Sequence, residues 1–123
     1  MPSTVASRNL SILLVEDDED DWRSLQLLLQ WNGFQVRAHA LAASALALET
    51  FDEFDLLVAD YFLSDSDGVA LLAGLREAGW KGRAVMITAE PNTWLVDRAQ
   101  SAGYHAVLGK PLARHDLMRA LLD

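Results

Sequence analysis

The chain alternates short, apolar segments with longer segments in which apolar residues recur every three or four positions. Short apolar segments predict strands buried on both faces, and the longer spacing predicts amphipathic helices. The five predicted strands are 11–16, 34–39, 55–60, 83–88 and 105–109. The five predicted helices are 20–31, 41–51, 69–78, 93–102 and 113–122. We therefore expect five strand–helix units in series.

Local turn signals support these boundaries. Gly33, Gly79 and Gly103 each follow a helical segment, where glycine can adopt the left-handed conformation that ends a helix. Pro91 stands where the fourth helix is expected to begin, a position that tolerates proline. Strand–helix units joined by right-handed crossovers predict an α/β fold with a doubly wound parallel sheet. We predict one domain over residues 10–123, preceded by a flexible lead-in over residues 1–9.

The composition narrows the class of protein. Hydrophobic residues make up 51% of the 123 residues, ample for one core, and no apolar run approaches the roughly 20 residues that span a bilayer. The chain has no cysteine, which excludes disulfides and thiolate catalysis and is compatible with the cytoplasm, the location we expect. The net charge of −8 argues against direct binding of nucleic acid and favours basic partners and cations.

Six consecutive acidic residues, 16–21, follow the first predicted strand. Carboxylates packed this closely repel one another, so an ordered turn here is best explained by a bound cation or by a helix N-terminus. Asp18 to Asp21 fit the second explanation, because carboxylates favour the positive end of a helix dipole. Glu16 and Asp17 lie nearest the strand, and we assign them to a metal site.

Polar residues also follow the later strands. Asp60 ends the third strand, Thr88 ends the fourth, and Lys110 follows the fifth. The carboxyl ends of parallel strands meet at one edge of a sheet, so these side chains are expected near Glu16 and Asp17. Carboxylates without histidine or thiolate suit a hard cation such as Mg²⁺. An aspartate beside such an ion can attack phosphorus, while a lysine and a hydroxyl stabilise the phosphoryl oxygens.

In this order, the motifs resemble the receiver domain of response regulators in two-component signalling. The resemblance covers the chain from Leu10 onward, and it rests on the whole series because each motif alone is weak. The motifs are Ile12-Leu13-Leu14-Val15-Glu16-Asp17-Asp18, Asp55-Leu56-Leu57-Val58-Ala59-Asp60, Gly68, Met86-Ile87-Thr88-Ala89 and Gly109-Lys110-Pro111. The resemblance implies a flavodoxin-like, five-stranded parallel sheet of order 2-1-3-4-5 with five helices.

The resemblance also implies a role for each site residue. Asp60 matches the phospho-acceptor, Thr88 the switch hydroxyl, and Lys110 the lysine that pairs with the phosphoryl group. The implied Mg²⁺ ligands are Glu16, Asp17, Asp60 and the backbone carbonyl of Phe62. The implied partner is a histidine kinase or a histidine phosphotransfer protein. The chain is expected to catalyse only its own phosphorylation and dephosphorylation.

Three features depart from the family pattern. Ser64 lies four residues after the acceptor, where the family usually has proline, and it predicts a more flexible, more acidic loop. Val107 stands at the position of the aromatic switch residue, which puts the usual threonine-to-aromatic relay in question. Phe62 and Glu90 occupy the positions that modulate the lifetime of the phosphoryl group. We hypothesise that the bulky Phe62 shields the acyl phosphate from water.

The fourth predicted helix offers a candidate contact surface. Leu95 and Ala99 are expected to face the core, which turns Trp94 and Arg98 outward. Trp94 is then either a tryptophan at the edge of the core or an anchor for a partner. As an anchor it would bind a downstream protein or a second copy on the face formed by the fourth helix, fifth strand and fifth helix.

Other functions fit the sequence less well. A Mg²⁺-dependent phosphohydrolase usually carries a second aspartate two residues after its nucleophile, where this chain has Phe62. A nucleotide-binding Rossmann module is excluded because no G-x-G-x-x-G follows the first strand. A phosphorylation-independent interaction domain on the same fold is the alternative, opposed by the intact acids, Thr88 and Lys110. We predict a receiver that takes a phosphoryl group on Asp60 and switches a protein-interaction surface, either alone or within a longer protein such as a hybrid kinase.

Overall fold

Parallel strands form one sheet whose two faces are both covered by helices. The computed structural model describes residues 10–123, so the flexible lead-in predicted over residues 1–9 lies outside the described part. The strands are β1 (Ser11–Val15), β2 (Gln35–His39), β3 (Leu56–Asp60), β4 (Arg83–Thr88) and β5 (Ala106–Gly109). The helices are α1 (Glu19–Trp31), α2 (Ala42–Leu46), α3 (Gly68–Glu77), α4 (Thr93–Ala102) and α5 (Arg114–Leu122).

The sheet has the order β2-β1-β3-β4-β5, and every neighbouring pair of strands is parallel. This arrangement confirms the predicted doubly wound, flavodoxin-like fold. Among residues 10–123, no helix is both long enough and apolar enough to cross a bilayer.

The central strands are apolar throughout because each of their faces packs against helices. Leu57 and Ala59 of β3 belong to the cluster under α2, α3 and α4. Leu56 and Val58, the alternating residues of the same strand, belong to the cluster under α1 and α5. Burial on both faces explains why the sequence shows no polar alternation in these strands. The carboxyl ends of β1, β3, β4 and β5 consequently open onto one edge, between the two helical layers.

The second helix is shorter than predicted. The helical spacing indicated a helix over 41–51, but α2 ends at Leu46. Leu48 and Phe51 turn inward instead and pack against the core cluster on that face. Hydrogen bonds from the Asp52 amide to the Thr50 hydroxyl oxygen and from the Phe54 amide to the Phe51 carbonyl then carry the chain into β3. Tertiary packing therefore overrides helix propensity over residues 47–51.

The fourth helix begins at Thr93, as predicted, but Pro91 does not stand where it begins. The side chain of Asn92 accepts a hydrogen bond from the Leu95 amide, so Asn92 is the N-cap and Pro91 lies before the helix rather than at its first position. The predicted inner face is confirmed, since Leu95 and Ala99 are buried.

Candidate functional site

The carboxyl edge of the sheet brings together the polar residues that follow separate strands. Glu16 follows β1, Asp60 ends β3, and Lys110 follows β5. The Lys110 ammonium donates to the carboxylates of Glu16 and Asp60, with 2.7 Å to Asp60 Oδ2. Residues separated by up to 94 positions in the chain thus form one polar site, as the parallel topology predicted.

A third carboxylate completes the environment of Lys110. Asp21 Oδ2 lies 2.9 Å from Lys110 Nζ, reaching it from the first turn of α1. Burial lowers the pKa of Lys110, but the hydrogen bonds that its ammonium donates to Asp60, Glu16 and Asp21 outweigh that effect and raise the pKa above its ordinary value. Lys110 is therefore a permanent cation among three acids.

Glu16 is the most deeply buried of these acids. Its side chain has no exposed surface, and its second oxygen accepts a long hydrogen bond of 3.3 Å from the Asp18 amide. Burial, reinforced by the negative charge of Asp60, raises the pKa of Glu16 to about 7, despite the opposing hydrogen bond from Lys110. A positive charge placed near Glu16 and Asp60 would therefore be stabilised at this position.

Asp60 is held in place through both of its carboxylate oxygens. Oδ2 accepts from Lys110, and Oδ1 accepts from the backbone amide of Phe62 at 3.0 Å. The side chain is nearly buried, with 8% of its surface exposed. The β3–α3 loop, residues 61–67, thus leaves the strand with the Phe62 amide directed at the Asp60 carboxylate.

Anchors at both ends hold the β3–α3 loop, although Ser64 predicted flexibility there. The Asp65 carboxylate accepts from the amides of Ala42 and Ala43 at 3.0 and 2.9 Å, and so caps the N-terminus of α2 from another part of the chain. At the other end, the Gly68 amide donates to the Tyr61 carbonyl at 2.9 Å. These contacts restrain the loop at Asp65 and at Gly68, and the greater flexibility expected from Ser64 stays a prediction.

Gly68 allows the loop to return against β3, the strand that ends at Asp60. A Cβ atom at this position would lie 2.7 Å from the Asp60 carbonyl oxygen, closer than van der Waals contact permits. The hydroxyl of Tyr104, which is buried, donates to the Gly68 carbonyl at 2.6 Å. Burial raises the pKa of Tyr104 far above its ordinary value, so its hydroxyl stays protonated and remains a donor.

Thr88 lies at the end of β4, fully buried beside the site. Its hydroxyl oxygen accepts from the Glu90 amide at 3.2 Å, and its backbone carbonyl accepts from the Lys110 amide at 2.8 Å. Thr88 is therefore linked directly to the backbone of the lysine with which it was predicted to act. The Lys110–Pro111 peptide bond is cis.

The donor set suits a hard cation. Glu16 and Asp60 supply carboxylate oxygens, Asp17 is partly exposed beside them, and oxygen ligands of this kind are those that Mg²⁺ prefers. Within residues 10–123, however, no three acidic, histidine or cysteine side chains are gathered into a closed metal site. Lys110 lies among the carboxylates instead, so the acids that fit Mg²⁺ chemically are also the partners of an internal cation.

The surface around Asp60 carries two exposed aromatic side chains. Phe62 is 51% exposed and Trp94 is 63% exposed, and the Tyr61 ring lies edge-on to both, with centroids 4.9 and 6.2 Å apart. Trp94 and Val69 of α3 line the same groove, so Trp94 lies on the α3 side of α4. The predicted outward orientation is confirmed, but this tryptophan does not lie on the side of α4 that faces β5 and α5.

Three residues of the site neighbourhood escaped the sequence analysis. Asp21 was assigned to the solvated start of α1, yet its spacing from Leu25 and Leu28 places it on the helix face that turns toward Lys110. Asp65 and Tyr104 act through contacts 22 or more residues away, and no local pattern signals such contacts.

Known proteins share both the sequence pattern and the fold. Residues 12–122 match the family model described as the response regulator receiver domain. The sensor histidine kinase AruS of Pseudomonas aeruginosa is 37% identical over 98% of this chain, which spans 12% of that protein. The two-component response regulator PprB of the same organism is 27% identical over 94% of this chain, which spans 44% of that protein.

A solved structure agrees with these relatives. The signal receiver domain of an HD domain-containing protein from Pseudomonas fluorescens Pf-5 is 30% identical, superposes with a TM-score of 0.83, and is covered over 92% of its length by 93% of this chain. The chain spans about half or less of the curated relatives named above, so it corresponds to one module of each. On this evidence the chain belongs to the response regulator receiver domain family of two-component signalling.

Proposed function

We propose that Asp60 accepts a phosphoryl group from the phosphohistidine of a histidine kinase or a histidine phosphotransfer protein. An Asp60 oxygen attacks phosphorus, a P–O bond forms, and the P–N bond breaks with its electron pair returning to the imidazole. The observation that carries the proposal is the direct contact between the Lys110 ammonium and the buried Asp60 carboxylate at the sheet edge.

Lys110 and Thr88 are proposed to stabilise the transferred group. The ammonium already touches Asp60, so its charge lies where negative charge develops on the phosphoryl oxygens. Thr88 stands at the adjacent strand end, where its hydroxyl accepts from the Glu90 amide and can donate its own proton to a phosphoryl oxygen. New charge on Asp60 would then bias the surface formed by α4, β5 and α5.

Glu16, Asp17, Asp60 and the Phe62 carbonyl are the proposed ligands of Mg²⁺. The bound ion would supply charge neutralisation for the phosphoryl oxygens, as in other phosphoryl transfers. The raised pKa of Glu16 supports this assignment, because a buried carboxyl beside Asp60 favours a nearby cation.

A groove beside the site fits a protein phosphodonor. Side chains of α1 and of the segment after β5 line it, and it opens onto Lys110. The lining includes Ser24, Leu25, Leu28, Pro111 and Leu112. Apolar walls next to acidic residues suit a donor helix with apolar and basic residues. The donor is proposed to meet this chain in the cytoplasm, the location expected from the composition. A downstream protein or a second copy of the chain is the proposed partner of the α4–β5–α5 face.

The test is the intact mass of the protein after incubation with Mg²⁺ and acetyl phosphate. We expect a single phosphoryl adduct that is absent from Asp60→Asn and from a sample with EDTA. If the wild type gives no phosphoryl adduct and also fails to bind beryllofluoride, the proposal is contradicted. That result would favour the phosphorylation-independent interaction domain, whose partners should then be sought at the Trp94 groove.

A further inference from the structure

We propose that Asp21 is a positioning residue that holds Lys110 before phosphoryl transfer and then competes with the phosphoryl group for it. Asp21 lies in the first turn of α1, outside the set of residues that the family resemblance assigns to the site. Its carboxylate is 2.9 Å from Lys110 Nζ. This inference rests on the proposed function, because the competitor is the phosphoryl group on Asp60.

The donor capacity of Lys110 is already fully used. A lysine ammonium has three N–H donors and no acceptor. Glu16, Asp21 and Asp60 each accept one of them. A phosphoryl group on Asp60 would bring new oxygens within reach of an ammonium that has no free donor, so at least one of the present bonds has to be exchanged.

Burial decides which carboxylate gives up its bond most easily. The Glu16 side chain has no exposed surface, and the Asp60 side chain is 8% exposed. The Asp21 side chain is 48% exposed, so water can replace the ammonium at its oxygens. Releasing a buried carboxylate from its cation is far more costly than releasing an exposed one. Asp21 is therefore the partner that Lys110 leaves at the lowest cost, and it still competes for Lys110 when Mg²⁺ occupies Glu16 and Asp60 as proposed.

The exchange has a direct effect on the phosphorylated state. The Asp21–Lys110 ion pair stabilises the state before transfer. The same free energy opposes the later contact between Lys110 and the phosphoryl group. The Asp21 carboxylate also adds negative charge close to a site that must accept a dianionic group. Removing this carboxylate should therefore favour the occupied state of the acceptor.

The matched pair of variants is Asp21→Asn and Asp20→Asn. Asp20 is exposed in the same helical turn, so both variants change the net charge and the helix N-terminus equally. The affinity for beryllofluoride with Mg²⁺, measured by titration calorimetry, should be about two- to fivefold higher for Asp21→Asn than for Asp20→Asn, the range expected for a half-exposed ion pair. Asp21→Glu, which keeps a carboxylate within reach, should bind like the wild type.

A second measurement needs neither Mg²⁺ nor a phosphoryl analogue. Lys81 and Lys110 are the two lysines of the chain, so NMR of the ammonium groups has only two signals to assign. Exchange of the Lys110 ammonium protons with water should be faster in Asp21→Asn than in Asp20→Asn, because one of three restraining bonds is lost. The exposed Lys81 serves as the internal control and should not change.

The outcomes separate the two proposals. If the wild type binds beryllofluoride and Asp21→Asn binds no more tightly than Asp20→Asn, the role of Asp21 is wrong and the proposed function stands. Equal exchange of the Lys110 protons in the two variants, or an Asp21→Glu variant that behaves like Asp21→Asn, also overturns it. A wild type that takes neither a phosphoryl group nor beryllofluoride overturns the proposed function. It then also overturns the proposed competition between Asp21 and the phosphoryl group for Lys110.

Discussion

The buried carboxyl of Glu16 should make the stability of the domain depend on pH. Its pKa is about 7 in the folded domain and 4.5 when exposed. Between these values the folded state keeps a proton that the unfolded state releases, so the free energy of unfolding falls as the pH rises. The difference of about 2.5 (7 minus 4.5), at about 1.36 kcal/mol per pH unit, corresponds to about 3 kcal/mol lost across the window.

Glu16→Gln removes this titration while keeping the shape of the side chain. Urea unfolding at several pH values between about 4 and 8, with EDTA present, gives the free energy of unfolding directly. We expect the wild type to lose about 3 kcal/mol relative to the variant over this range. The lowered pKa of His39 works in the opposite direction, since its contribution is lost as the pH falls below 6.5, but it is common to both proteins.

Glu49→Gln, which alters an exposed glutamate, is the control and should follow the wild type. If the free energy of unfolding changes with pH in the same way for the wild type and Glu16→Gln, the reasoning is refuted. That result would mean that Glu16 does not retain its proton on folding. Addition of Mg²⁺ should flatten the wild-type curve, since a cation near Glu16 favours the ionised form.

Three further substitutions test the contacts around Asp60 by urea unfolding at neutral pH. Lys110→Met leaves buried carboxylates without their cation and should cost about 3 kcal/mol; an unchanged midpoint would contradict the buried ion cluster. Asp65→Asn weakens the cap on α2 and should cost about 1 kcal/mol, whereas Asp52→Asn, in an exposed turn, should cost nothing measurable. Tyr104→Phe leaves the Gly68 carbonyl without its donor and should cost about 1–2 kcal/mol; a loss below about 0.3 kcal/mol would show that water replaces the hydroxyl.

The sequence predicted the fold and the centre of the site for one physical reason. Apolar strands that alternate with helices bury both of their faces in a parallel sheet. Such a sheet places the carboxyl ends of all its strands on one edge. The meeting of Glu16, Asp60 and Lys110 follows from this topology alone. The strand 83–88 and the helix 93–102 were predicted at their observed bounds, because an apolar run marks the strand and Gly103 marks the end of the helix.

What the sequence analysis missed depends on contacts between distant segments. Helix α2 stops early because Leu48 and Phe51 are needed by the core, which no local propensity reveals. Asp65 reaches α2 across the sheet edge, and the sequence offers no pattern for a cap supplied from another element. Asp21 could have been found, since its helical phase matches that of Leu25, but the acidic run around it concealed that signal.

The Asp65 contact has a consequence for the environments in which this receiver works. A proline restricts the backbone of a loop covalently, and it does so in any solution. The Asp65 carboxylate, which is exposed to solvent, instead restrains its loop through two charge-assisted hydrogen bonds. Salt weakens these hydrogen bonds, and protonation of the carboxylate removes them as the pH falls through the lowered pKa of Asp65. One of the two anchors of the loop beside Asp60 is therefore expected to depend on the ionic conditions, a dependence that a proline at this position would not have.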